Sequence, residues 1–173
     1  MNAAARPAST EYAPHFSRYV DRVPEEDILA TLERQSVETA KLLASIDENK
    51  AAHRYAEGKW SVKEVIGHLT DAERVFAYRA MCIARGEGQP LPGFDENLYV
   101  ENASFDAWSF AELAEQYALM RRSSILLLRN LPEHAWARQG TASNNPITVR
   151  ALAWVMVGHE RHHVAILRER YGV

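Results

Sequence analysis

The stretch Trp60-Ser61-Val62-Lys63-Glu64-Val65-Ile66-Gly67-His68-Leu69 holds the clearest structural signal in the chain. Ser61 and Glu64 stand at the spacing of a capping box, in which hydroxyl and carboxylate each satisfy an orphan N–H of a helix start. Trp60 and Val65 are placed to staple that start hydrophobically. Val62, Val65, Leu69, Phe76 and Ile83 then recur at helical spacing until the break from Gly86 to Gly93, which contains Pro90 and Pro92. The pattern predicts a long amphipathic helix.

The same reading extends in both directions. Upstream, Pro24 suits a first helical position, and Glu25, Glu26 and Asp27 suit the positive end of the helix dipole. With Ile28, Leu32, Val37, Leu42, Leu43 and Ile46 they predict a helix from about 24 to 48. Downstream, Ser109 and Glu112 repeat the capping box before Leu113, Tyr117, Met120, Ile125 and Leu128. Thr148 caps a last helix that ends at Gly172, with Arg168 and Arg170 at its negative end. Four long helical patterns without an alternating strand give an all-α fold, a four-helix bundle. The segment from Gly86 to Ser104 reads as a long loop of the kind that often carries function. Residues 1–20, with Pro7 and Pro14 among small residues, read as a flexible N-terminal arm, and residues 21–173 as the bundle domain.

Composition narrows the class. In 173 residues, 47% are hydrophobic and 25% charged, the balance of a globular protein. Glycine and proline number only 8 and 7, which favours long helices. The formal charge of −3 offers no basic field for nucleic acid. The longest apolar run, Ala151 to Val157, is far short of the roughly 18–20 residues of a membrane span. No apolar leader precedes Pro14, so the expected location is cytoplasmic. A lone cysteine, Cys82, excludes intrachain disulfides and cysteine-rich metal sites.

The chemistry concentrates in His159-Glu160-Arg161-His162-His163. On a helix His163 lies about 40° from His159, both amid the stripe of Leu152, Val155, Met156 and Ile166. His162 falls on the flank of that stripe. Two imidazoles one turn apart on an inward face are either a hydrogen-bonded core pair or the ligands of one cation. The spacing matches H-E-x-x-H, with Glu160 in the general-base slot. A zincin protease is disfavoured, because no histidine follows His163 and no strand is evident to bind a peptide edge.

A third ligand must come from upstream, and His68, at the edge of its helix's apolar stripe, is the best candidate. His53 and His134 lie near helix ends or loops, and His15 belongs to the arm. Cys82 sits about 21 Å along the helix from His68 and reads as a small core residue. Asp71 and Glu160 could orient or deprotonate a ligand, but surface carboxylates are the more ordinary reading. Arg121 and Arg122 could clamp an anion, yet an exposed pair is commoner. Trp60, Trp108, Trp136 and Trp154 read as packing residues.

Two segments resemble signatures of a known family. Lys59 to Glu73 is similar to the first motif of the DinB/YfiT-like superfamily, and Gly158-His159-Glu160-Arg161-His162-His163-Val164-Ala165-Ile166-Leu167 to its last. Leu131-Pro132-Glu133-His134-Ala135-Trp136 resembles the short segment between its third and fourth helices. The likeness spans about residues 24–171. It implies a bundle, often a homodimer, with a divalent metal on His68, His159 and His163. Members with known activity are thiol-dependent S-transferases and isomerases using bacillithiol, mycothiol or glutathione, and others are described as metal-dependent hydrolases. An imidazole site suits zinc or nickel. Such an ion lowers the pKa of a bound water or low-molecular-weight thiol, which could attack a small-molecule electrophile. The expected function is therefore a metal-dependent transferase or hydrolase, with a non-catalytic metal- or ligand-binding stress module as the alternative.

Overall fold

The computed structural model describes residues 4–173. Four long helices dominate: α2 (Ile28–Ala44), α4 (Val62–Ala84), α6 (Phe110–Arg129) and α7 (Val149–Tyr171). Three short ones, α1 (Ser17–Val20), α3 (Glu48–Ala51) and α5 (Glu96–Ala103), occupy the connections. A hairpin of β1 (Gln139–Ala142) and β2 (Asn145–Thr148) leads into α7. The long helices form a closed four-sided bundle in which α4 packs on α6 and α7, and α2 packs on the same two. No helix among the described residues is long and apolar enough to cross a membrane.

The caps act where the sequence places them. Ser61 Oγ accepts from the Glu64 N–H at 3.1 Å while the Ser61 N–H donates to Glu64 Oε2 at 2.7 Å. Ser109 and Glu112 repeat that exchange at the head of α6. Thr148 accepts from the Ala151 N–H at 3.2 Å, and α7 ends on Gly172 in the left-handed region, where glycine is unstrained. Through these starts α4 and α7 lie side by side with their apolar stripes facing.

Four features of the element boundaries depart from expectation. The first long helix does not begin at Pro24, because the Asp27 carboxylate accepts from the Ala30 N–H and caps the helix there. It also stops at Ala44, after which Asp47 caps the separate α3 by accepting from the Lys50 N–H. The segment read as a loop contains α5, capped by Asp95. The hairpin was not expected; each strand has four residues, and Pro146 interrupts the alternation.

The N-terminal arm is packed rather than loose from residue 4 onward; residues 1–3 lie outside the described residues. Tyr12, Tyr19, Val20 and Val23 are buried. The Glu11 carboxylate accepts two bonds from Arg150, at 2.6 and 2.7 Å, and one from the Thr148 hydroxyl at 2.8 Å. Gly158 makes the close fit possible, since a Cβ at that position would stand 2.0 Å from the Tyr19 carbonyl oxygen. The arm thereby lays Tyr19 against His159.

Candidate metal centre

His68 projects from the middle of α4, and His159 and His163 project from successive turns of α7. One ring nitrogen from each lies within 4.8 Å of the other two. His68 Nε2 and His159 Nε2 are 3.2 Å apart. Two imidazole nitrogens bound tetrahedrally to one zinc ion at about 2.05 Å stand about 3.3 Å apart. The observed separation fits that arrangement, and equally fits one imidazole donating to another.

The surroundings keep all three rings neutral. Burial pushes His68 down to about 4. Burial, followed by the influence of the neighbouring histidines, holds His159 and His163 well below the usual histidine range. A neutral imidazole keeps one ring nitrogen with a free lone pair, which a cation requires. Trp60 packs on His68 with ring centroids 4.9 Å apart, and Phe76 and Tyr19 meet His159 edge-on at 5.6 and 5.1 Å. These aromatics fix the ring planes and exclude water from one side.

The rings open into a cavity of about 350 Å³ also lined by Phe16, Arg18, Arg79, Phe94 and Ser143. A second cavity of about 350 Å³ lies between α2 and α6, walled largely by Ala40, Ala44, Ala111, Ala114 and Ala118. Among the described residues the one cluster of potential metal ligands, His68, His159 and His163, lines the first cavity and not the second.

Behind the histidines, α7 is locked by buried charge. Arg121 donates to Glu73 at 2.7, 2.8 and 3.0 Å and to Glu160 at 2.6 Å. The Thr39 hydroxyl donates to the other Glu160 oxygen. Arg121 and Glu160 are each 1% exposed. Four long helices thus meet at one network, one residue along the chain from His159.

The sequence profile of the DinB superfamily matches residues 31–167. The chain belongs to the DinB superfamily. Two solved structures share the fold of this DinB-superfamily protein. YfiT from Bacillus subtilis, described as "a probable metal-dependent hydrolase with an unusual four-helix bundle topology", superposes with a TM-score of 0.67 at 20% identity over 99% of both chains. A mycothiol-dependent maleylpyruvate isomerase superposes with a TM-score of 0.68 at 15% identity. That match covers 84% of this chain and 61% of the isomerase. A search of curated proteins by sequence finds no significant match.

The remaining sequence candidates of this superfamily member divide cleanly. His68, His159 and His163 come together. His162 stands beside the cavity against Tyr19 and outside the triad. His15, assigned to the arm, lines the cavity mouth. His53 and His134 are exposed. Asp71 pairs with Arg74 at 2.8 Å on the helix surface, the ordinary role expected of it. Cys82 is half-buried against the core. Trp154 and Trp136 pack in the core, whereas Trp60 also lines the cavity and Trp108 is 38% exposed.

Glu160 and Arg121 correct the surface reading. Arg121 lies at i+4 from Tyr117 and i−4 from Ile125, inside the apolar stripe of α6, which was a legible sign of burial. Glu160 carried the same sign, standing at i+4 from Met156 and i−4 from Val164 on α7, and only the fold shows its partner.

Proposed function

We propose that this DinB-superfamily protein binds a divalent metal ion through His68, His159 and His163 and acts as a metal-dependent transferase or hydrolase on a small molecule. The observation carrying the reading is the convergence of three neutral imidazole nitrogens within 4.8 Å at the floor of a cavity. Core histidines kept for packing alone would each need a hydrogen-bond partner in a dry site. Here His68 and His159 find only one another among the described hydrogen bonds. No carboxylate joins the donor set, so zinc or nickel is the expected ion.

Bound by three neutral ligands, such an ion retains its charge and an open position, which acidifies a water or a low-molecular-weight thiol entering there. The chain's own residues contribute position and exclusion. Trp60, Phe76 and Tyr19 shield the donor nitrogens, and the Arg121 network holds α7 so that His159 and His163 keep their separation. The descriptions of YfiT as metal-dependent and of the isomerase as mycothiol-dependent support both nucleophiles. A cytoplasmic homodimer completes the proposal.

Elemental analysis of the purified protein beside His68→Ala and His163→Ala tests the first half. About one ion per chain in the wild type and less than a tenth of that in the variants is expected. Turnover of model electrophiles by the metal-loaded protein, with and without low-molecular-weight thiols, tests the second. Uniform inactivity of a fully loaded sample would leave the non-catalytic binding module in its place, and light scattering reads the dimer.

A further inference from the structure

The cavity contains a buried cation that no carboxylate neutralises. Arg79 on α4 is 3% exposed. Its Nη2 donates to the Pro92 carbonyl at 2.7 Å and to Ser143 Oγ at 3.0 Å, both neutral acceptors. Its guanidinium lies 5.9 Å from the Phe94 ring. The other deeply buried arginine, Arg121, holds two carboxylates. Arg79 forms no ion pair among the described residues, and burial alone acts on its pKa, lowering it.

An unpaired buried charge is costly, by several kcal/mol in general. A fold keeps one where a partner arrives from outside. The clamp on Arg79 is itself elaborate. Ser143 and Asn144, at φ 50° and 62°, form the two-residue turn of the hairpin, a left-handed pair in which serine is an unusual choice. The loop holding Pro92 is tied to that hairpin by the Leu91 N–H to the Thr141 carbonyl, 2.8 Å, and the Ser143 N–H to the Leu91 carbonyl, 3.1 Å. Nε and Nη1 of Arg79 make no hydrogen bond to the described residues.

Position relates this cation to the histidines. Arg79 follows His68 by just over three whole turns, so both project from α4 within about 20° of azimuth, about 16 Å apart along the axis. Both line the same cavity. Its only carboxylate, Glu96, is exposed at the N-terminal end of α5, and its other arginine, Arg18, is exposed and donates to the Tyr19 hydroxyl.

We propose that Arg79 anchors a carboxylate at one end of an elongated ligand whose other end reaches the three histidines. One guanidinium balances one carboxylate, whereas a phosphate dianion would find only one buried charge, since Arg18 is exposed and held on the Tyr19 hydroxyl. The reacting end rests on the proposed metal site, but the anchor does not. The carboxylate could belong to a thiol co-substrate or to the electrophile, and both share this chemistry.

The test uses ω-mercaptocarboxylates of increasing chain length, the equal-length ω-mercaptoamides, and the thiol-free carboxylates, measured by calorimetry on zinc-loaded and metal-stripped protein. Carboxylates are expected to bind at least about tenfold tighter than amides in both forms. Preference confined to the thiol-bearing series assigns the anchor to a co-substrate; preference shared by the thiol-free series assigns it to either source. Arg79→Gln erases the preference. Ser143→Asp, which keeps the arginine and suits a left-handed turn, supplies an internal counter-ion, so it also erases the preference and raises the melting temperature. It decides the matter if Arg79→Gln does not fold.

Equal binding of acids and amides by the wild type, no binding of either, or a preference surviving Ser143→Asp overturns the proposal. Zinc that fails to tighten thiol binding, beside an intact carboxylate preference in stripped protein, counts against the metal site and not against Arg79.

Discussion

Replacing Arg121 with methionine removes one guanidinium and strands two carboxylates. Glu73 and Glu160 are 4% and 1% exposed, and Arg121 supplies three bonds to the first and one to the second. Glu160 retains the Thr39 hydroxyl, with the buried Tyr117 hydroxyl as a neighbour. Breaking a buried ion pair by deleting one partner costs about 3–5 kcal/mol, since the survivor stays desolvated. In a domain of this size each kcal/mol moves the melting temperature by about 2–4 °C, so a fall of about 6–20 °C is expected at pH 7. Thermal and urea unfolding followed by circular dichroism measure it. A variant that also carries Glu73→Leu and Glu160→Leu should recover most of the loss, because apolar replacement of a whole buried network is often neutral. A single-variant cost below about 1 kcal/mol would refute the reasoning, as it would mean that water reaches the carboxylates or that they carry protons.

The other predictions concern the histidine face. His163→Ala should weaken zinc binding by at least about 100-fold, more than loss of an outer partner does, as read by chelator competition. Metal-free protein should lose stability as pH falls from about 6.5 towards 4, because His68 stays neutral when folded and gains a proton when unfolded. That group alone contributes about 3 kcal/mol across the window, and added zinc should move the acid midpoint lower; a flat profile between those values contradicts the burial described. Gly158→Ala should lower stability by at least about 1 kcal/mol despite alanine's better helix propensity, since its Cβ would strike the Tyr19 carbonyl, and a neutral outcome in urea unfolding would show the arm to be detachable.

What the sequence discloses depends on how far each residue's partner lies along the chain. Capping boxes span three residues, so the starts of α4 and α6 were readable to the residue. Asp27 and Asp47 obey the same local rule, yet Pro24 and the acidic run after it offered a competing start, and the continuous apolar stripe concealed the break at Ala44. The hairpin offered too little pattern, with four residues a strand and a proline in one of them. The arm was invisible because its hold is distant: Glu11 meets Arg150, and Tyr19 fits only where Gly158 leaves room.

The site was legible to the extent that it violates the apolar pattern. His159, His163 and Arg121 all stand on inward faces where a core residue is expected, and the violation marks each as needing a partner. Which partner is a question only the fold answers. Arg121 meets Glu73 and Glu160 and is thereby a structural tie. The three histidines meet one another, with one ring nitrogen of each within 4.8 Å of the other two, an arrangement that can hold a cation. Arg79 meets two neutral oxygens and no charge. Asking of each buried charge or imidazole what the chain itself supplies to it therefore separates Arg121, satisfied by two carboxylates, from Arg79 and the three histidines, which line a single cavity.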